Sequence, residues 1–228
     1  MNHIRAIFFD GDDTLWNFRD AMRAALGETL LVLRRIVDNE AADALTVERM
    51  VEIREAVAAE MSEHTTLVET IRRESLARTL AEVGHPSEDE AQRLFEVYNA
   101  ARFAATRPFT GVRDLLTGLR GRYQLGVVSN GNTYPDRVGL GGIFSFAVLA
   151  QDCGLAKPDP RIFELALNKC GRSAAQVVHV GDSLESDVMG AKGCGIRSVW
   201  LNMNGATNDT GIAPDHEIGD LRELLDIL

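Results

Sequence analysis

Cysteine is scarce in this chain: Cys153, Cys170 and Cys194 are the only three in 228 residues. An odd count with no C-x-x-C pair excludes a disulfide framework and fits a reducing compartment. The three read as small buried hydrophobes near a sheet. Positive charge is also short, with 24 Lys+Arg against 34 Asp+Glu and a net charge of −10. An acidic surface repels nucleic acid and anionic lipid at long range, so neither is expected as a partner. A small anionic substrate feels only its local site and stays open. No apolar run approaches the ~18 residues of a membrane helix. Asp10 also breaks the first apolar run too early for a signal peptide. Internal repeats and low-complexity tracts are absent. A soluble cytoplasmic protein is expected; oligomeric state is not legible. What remains is an ordinary globular composition, 45% hydrophobic and 25% charged, with enough apolar matter to offset the entropy of ordering. The length suits one large domain, or a main domain carrying an inserted one.

The hydrophobic pattern divides the chain. Ala6–Phe9 is continuously apolar, which predicts a central parallel strand covered on both faces. Met22, Ala25, Leu26, Leu30, Leu33 and Val37 then recur at helical steps. A second stripe (Val47, Met50, Val51, Val57, Met61) and a third (Val68, Ile71, Leu76, Leu80, Val83) follow, the third closed by Gly84. Ser87-Glu88-Asp89-Glu90 predicts a capping box for a fourth helix. After Pro108 helices and strands alternate. A helix over 112–119 is followed by strands at Leu125–Val128 and Phe146–Leu149. Asp159-Pro160 opens a helix that Gly171 closes. Strands at Val177–Val180 and Ser198–Leu201 follow, then a polar loop at 202–209 and a last helix capped by Asp220. This alternation predicts an α/β fold with a Rossmann-like parallel sheet core built from residues 1–15 and 106–228, interrupted by an all-helical domain over 16–105.

Ligands of open parallel sheets bind at the carboxyl ends of the strands, and four such ends carry polar groups here. The first is Asp10-x-Asp12-x-Thr14, whose two carboxylates can share a face and split roles, one ionised as nucleophile and one protonated as acid. The second, Ser129-Asn130-Gly131, offers a hydroxyl, an amide and an unhindered backbone N–H to an anion. The third is Lys157 before Pro158, a point charge suited to phosphate. The fourth is Gly181-Asp182-Ser183 with Asp187, hard oxygen ligands of the kind Mg²⁺ prefers. A phosphate dianion beside Asp10, Asp182 and Asp187 requires a divalent cation as well as Lys157. Together these groups describe a phosphoaspartyl mechanism.

Taken in order, Phe-Phe-Asp10-Gly-Asp12-Asp-Thr14-Leu, Val-Val-Ser129-Asn130-Gly, Lys157-Pro158-Asp-Pro and Gly181-Asp182-Ser183-Leu-Glu-Ser-Asp187 resemble the four motifs of the haloacid dehalogenase-like hydrolase superfamily, phosphatase branch. The helical insert resembles that superfamily's type 1 cap. The resemblance implies that Asp10 attacks phosphorus and that Asp12 protonates the leaving oxygen, then takes a proton from water. It implies that Ser129, Asn130, Gly131, Lys157 and Thr14 hold the phosphate side, Thr14 otherwise reading as a turn hydroxyl. It further implies Mg²⁺ on Asp10, the backbone carbonyl of Asp12 and Asp182, with Asp187 a ligand or one water away. The expected activity is hydrolysis of a small soluble phosphate ester under a closing cap.

Blander readings stand beside these. Asp13 reads as a turn residue. Trp16 and Asn17 read as lining the hinge or the pocket mouth, with packing at the domain junction as the other reading of Trp16. His64, Thr65 and Thr66 read as a surface loop with a second reading as substrate contacts. Arg54, Arg72 and Arg73 read as solvated helix faces with a second reading as contacts to an anionic substrate, and His179 as a satisfied core histidine. A phosphomutase keeps every motif. A haloacid dehalogenase uses neither an acid at Asp12 nor Mg²⁺. A receiver-type domain carries its acceptor aspartate on a later strand. A non-catalytic binding protein is expected to have lost one of Asp10, Asp12, Lys157 or Asp182. Which phosphate ester is cleaved has no motif.

Overall fold

The computed structural model describes residues 3–61 and 68–228. His64, Thr65 and Thr66 fall outside the described residues. The chain forms two compact units, one running to Asn17 and resuming at Arg107, the other spanning Phe18–Thr106.

The first unit is a six-stranded parallel sheet of β1 (Ala6–Phe9), β2 (Gln124–Ser129), β3 (Phe146–Leu149), β4 (Val177–Gly181), β5 (Arg197–Leu201) and β6 (His216–Ile218), in the order β3-β2-β1-β4-β5-β6. All four residues of β1 are buried, which is why its sequence is apolar without alternation. Phe9 pairs in register with Val127 of β2 and Val180 of β4. β2 and β4 run on past the end of β1, to Ser129 and Gly181, and the strand order reverses between β1 and β4, where ligands of such sheets bind. Helix α6 (Val112–Arg120) buries Val112, Leu115, Leu116 and Leu119, the spacing of one helical face. Asp159 caps α8 (Pro160–Cys170) through the Arg161 N–H, and Gly171 ends it at φ 65°. Phe8, Val128, Val148, Ile162, Phe163 and Ala166 are joined in one apolar cluster. The three cysteines are free; Cys170 is buried, Cys153 and Cys194 partly so.

The second unit packs α1 (Phe18–Ile36), α2 (Glu40–Ala44), α3 (Val47–Met61), α4 (Val68–Glu82) and α5 (Glu88–Ala105) around Leu26, Leu30, Leu33, Leu80, Leu94 and Phe95. At the start of α5 only half of the expected box forms: Ser87 accepts from the Glu90 N–H at 3.3 Å, while Glu90 faces Arg93 at 3.6 Å. Arg72 corrects the solvated-face reading. It is 3% exposed, its guanidinium lying over the rings of Phe18 and Tyr98 at 6.0 and 5.9 Å, a cation–π arrangement the apolar pattern does not encode. Exposed Arg73 lies over Phe95 at 4.0 Å. Two short elements, α2 and β6, are additions to the sequence reading. Asn39 caps α2 by accepting from Ala42 N, and Asp215 leads into β6 by accepting from Ser198 N and Oγ at 2.8 and 3.0 Å.

Gly126 pairs with Phe146 across β2 and β3, and a Cβ at 126 would stand 2.3 Å from the Phe146 ring. Gly118, exposed in α6, has nothing within 4 Å. Gly126→Ala is therefore expected to lose about 1–3 kcal/mol through overpacking, whereas Gly118→Ala gains up to about 1 kcal/mol of helix propensity. Thermal denaturation of the pair checks this; equal melting temperatures would contradict it.

Candidate active site

The site begins where β1 stops. Asp10 N–H still donates to Val180 O (2.8 Å), and then the chain turns back on itself. Leu15 N–H and Trp16 N–H both donate to Gly11 O, at 2.8 and 3.3 Å. Asp13 takes the left-handed conformation at φ 58°, which aspartate tolerates better than most side chains. The turn sends the carboxylates of Asp10 and Asp12 to different partners.

Asp10 Oδ1 accepts from Lys157 Nζ at 2.6 Å. The same ammonium donates to Asp187 Oδ1, also at 2.6 Å. Asp187 Oδ1 meets His179 Nε2 at 2.8 Å, and its Oδ2 accepts from Ser183 N–H at 3.1 Å. Gly181 makes room for this, since a Cβ there would lie 2.1 Å from Asp187 Cγ. Ser183 opens a wide turn in which Val188 N–H reaches back to Ser183 O (3.2 Å), the kind of π-turn that often shapes sites. Asp182 is fixed from two sides, Thr14 Oγ1 donating to its Oδ1 at 3.4 Å and Trp200 Nε1 to its backbone carbonyl at 2.9 Å.

Asp12 Oδ1 accepts from the indole N–H of Trp16 at 2.6 Å. Its Oδ2 lies 2.4 Å from where a Cβ on Gly131 would be, so only glycine fits there. Gly131 N–H donates to Ser129 Oγ at 3.1 Å, which leaves the Ser129 hydroxyl proton to be given elsewhere.

Asn130 corrects the sequence reading. Both ends of its side-chain amide are committed to the Lys157 backbone, Nδ2 to Lys157 O at 2.9 Å and Oδ1 from Lys157 N at 2.7 Å. Its side chain therefore positions Lys157 and is not offered to an anion. Thr14 is likewise fully buried with its hydroxyl on Asp182, the turn-hydroxyl reading. His179 is buried as expected, but it acts on Asp187; its Nδ1 is buried with no hydrogen-bond partner, so the satisfied-core reading is only half right. The signal available for His179 was a polar residue inside an otherwise apolar strand. No sequence feature pointed to the Asn130–Lys157 clamp.

Oxygens of Asp10, Asp182 and Asp187 lie within 4.8 Å of one another. Burial pushes the Asp10 carboxyl well above the usual carboxylate range; Lys157 opposes this, and Asp187, Asp182 and Asp12 add to it. Burial, then Asp187 and Asp13, push Asp182 up to about 6. Burial alone would raise Asp187 too, but Lys157 and His179 outweigh it and hold that carboxyl well below the usual range. Burial would lower Lys157, yet Asp10 and Asp187 keep it above the ordinary lysine value. Fully ionised, three carboxylates and one ammonium would carry two uncompensated negative charges. A hard divalent cation fits this donor set.

Acid groups gathered at the switch point of a Rossmann-like sheet, with a helical unit inserted after the first strand, define a class of α/β hydrolase. Residues 4–195 match the family model described as haloacid dehalogenase-like hydrolase. The chain belongs to that family. It is 32% identical over 145 residues to the pyrimidine 5'-nucleotidase YjjG of Escherichia coli, a match covering 61% of this chain and 64% of that protein. It is 27% identical to the 5-amino-6-(5-phospho-D-ribitylamino)uracil phosphatase YigB of the same organism, over 100% of this chain and 98% of that one. The solved structure of a 2-haloacid dehalogenase from Pseudomonas syringae is 35% identical with a TM-score of 0.78, covering 98% of this chain and 97% of its own. Among the described residues no helix is long and apolar enough to cross a membrane.

A raised carboxyl is a stability statement. With its folded pKa above the unfolded value of about 3.9, Asp10 binds its proton more tightly in the folded protein, so its ionisation lowers stability as pH rises. In EDTA, Asp10→Asn is expected to melt above the wild type at neutral pH, the difference closing below about pH 4. Mg²⁺ is expected to narrow the difference by raising the wild type. An Asp10→Asn protein less stable than wild type in EDTA at neutral pH would contradict the reading.

Proposed function

We propose that the protein is a Mg²⁺-dependent phosphomonoester hydrolase that works through an aspartyl-phosphate on Asp10. The observation that carries this reading is the second carboxylate, Asp12, held beside Ser129 and Gly131. A halide leaves carbon as a stable anion and needs no proton, so displacement of halide has no use for an acid two residues after the nucleophile. An alkoxide leaving phosphorus does need one. Asp182, a further hard oxygen donor, supports the same choice.

In this reading Asp10 and Asp182, with the backbone carbonyl of Asp12, would hold the cation. Asp187 would act on the cation through water, because three of its lone-pair directions are already taken by Lys157, His179 and Ser183. The cation supplies charge neutralisation of phosphoryl oxygens when bound. Asp10 Oδ attacks phosphorus, the ester P–O bond breaks, and Asp12 gives its proton to the departing oxygen. Water then attacks the same phosphorus and Asp12 takes a proton from it. The Asp10–phosphorus bond breaks, and inorganic phosphate leaves. Ser129 donates its hydroxyl proton to a phosphoryl oxygen, and Lys157 neutralises charge on the nucleophile's side. Asn130 holds Lys157 in place. The helical unit is the cap that selects the ester. The substrate is a small soluble phosphate ester, and the names of the two Escherichia coli relatives make pyrimidine nucleotides and ribityl phosphates the first to try. A phosphomutase would use the same groups and is separated from a hydrolase by its product.

The test is phosphate release from p-nitrophenyl phosphate and a panel of nucleoside, sugar and ribityl phosphates, with Mg²⁺ or EDTA, alongside halide release from 2-chloropropionate. Phosphate release that needs Mg²⁺ and is abolished in Asp10→Asn is expected. Asp12→Asn should lose about 10²–10⁴ in kcat on alkyl esters. Halide release without phosphate release would contradict the proposal.

A further inference from the structure

Trp16 is buried with 0% exposure, and the reaction scheme above gives it nothing to do. Its ring fills the space over Gly11, where a Cβ would lie 2.3 Å from Cζ2. That packing fixes the indole plane and aims Nε1–H at Asp12 Oδ1, 2.6 Å away. The contact is short for a neutral donor, in the range of charge-assisted bonds to a carboxylate. Two glycines thus frame the acid: Gly11 admits the ring that holds Oδ1, and Gly131 admits Oδ2.

The backbone of Trp16 is tied as tightly as its ring. Trp16 bridges to Asp12 on one side and to Pro108 on the other. Asp13 N–H donates to Trp16 O (2.8 Å), Phe109 N–H to Leu15 O (3.0 Å) and Asn17 N–H to Arg107 O (3.1 Å). Arg107 N–H closes the arrangement by donating to Asn17 Oδ1 at 2.7 Å. The chain passes between its two units at Asn17–Phe18 and Thr106–Arg107. Trp16 therefore sits on the pair of linker segments and at the same time grips the acid. Its one polar atom, the indole N–H, takes its hydrogen-bond partner from the acid itself.

We infer that Trp16 is the positioning residue for the general acid: its indole N–H holds the Asp12 carboxyl at the angle from which it delivers a proton to the leaving oxygen. This rests on the phosphatase reading, in which Asp12 is that acid. A carboxyl free to rotate spends less time aligned with the leaving oxygen, and in the first step, formation of the aspartyl-phosphate, the loss falls only on substrates whose leaving group needs the proton.

The experiment compares an alkyl phosphate, whose alkoxide must be protonated, with p-nitrophenyl phosphate, whose phenolate leaves without help. Trp16→Phe keeps a ring over Gly11 and removes the N–H. Its kcat/KM on the alkyl ester is expected to fall about tenfold, the worth of one hydrogen bond to a charged group, while kcat/KM on p-nitrophenyl phosphate, which covers only the steps up to departure of the leaving group, stays within about twofold. Asp12→Asn should show the same selectivity in kcat/KM more strongly, with kcat lowered on both esters through slower breakdown of the intermediate. Site-specific incorporation of β-(3-benzothienyl)alanine at position 16 replaces the N–H by sulfur in a ring of the same shape, and it must reproduce the selective loss even if the phenylalanine variant folds poorly. Equal losses of kcat/KM on both esters would show a packing role alone and overturn the inference, as would no loss on either. A wild-type protein inert on both esters overturns the phosphatase reading, and this inference with it.

Discussion

One ammonium group holds the reactive end of the sheet together. Lys157 Nζ bonds Asp10 and Asp187 at 2.6 Å each, with all three side chains buried. Burying a lysine and two carboxylates costs several kcal/mol per ion unless geometry and further hydrogen bonds repay it. The repayment is visible. Asn130 clamps the Lys157 backbone in both directions, and His179 and the Ser183 N–H take up the remaining reach of Asp187. What Lys157 does not do is neutralise the cluster. The residual negative charge falls on Asp10 and Asp182, whose carboxyls are both raised. The cluster is short of positive charge inside a protein of net charge −10, and in the proposed reaction a bound cation would favour the ionised forms of both carboxyls.

The sheet supplies what the lysine needs. Because β1, β2 and β4 are parallel neighbours, Asp10, Ser129 and Asp182 emerge at the same edge of the sheet. The long connection from β2 to β4 brings Lys157 back over them from a position far along the chain. Close approach is then a matter of glycine: Gly131 and Gly181 each stand where a Cβ would collide with a catalytic-site carboxylate. These are steric demands of the site, separate from any demand for unusual backbone angles. The same turn that follows Asp10 carries Asp12 to the Trp16 indole, which gives the two carboxylates different partners although they are two residues apart in sequence.

Much of this was legible beforehand, for physical reasons that can be named. The apolar quartet Ala6–Phe9 and the regular alternation after Pro108 are produced by burial on both faces of a parallel sheet, so the core strands and their parallel sheet were legible in the pattern, whereas their order was not. Asp159-Pro160 and Gly171 bound α8 because caps act locally. Asp10, Asp12, Lys157, Asp182 and Asp187 were legible because each follows a strand or opens a helix. What sequence did not reveal lies in contacts between distant segments. Asn130 and Lys157 are joined through backbone groups, which any residue possesses. Trp16 reaching Asp12 depends on the turn geometry and on the absent side chain at Gly11. Arg72 is buried against Phe18 and Tyr98 because cation–π packing tolerates a charge inside a helical unit, whereas periodicity treats every arginine as exposed. The short elements α2 and β6 have too few residues to register a period at all.

The account stands on Asp10 as a nucleophile toward phosphorus, and that can be observed directly. Asp12→Asn should slow breakdown of the covalent intermediate, so acid-quenched Asp12→Asn protein incubated with p-nitrophenyl phosphate and Mg²⁺ is digested and weighed by mass spectrometry. The peptide containing Asp10 is predicted to gain the mass of one phosphoryl group, a gain absent without Mg²⁺ and absent when Asp10 is also asparagine. An unmodified Asp10 peptide from a protein that is releasing p-nitrophenolate, or a phosphoryl group found on any other residue, would contradict the account.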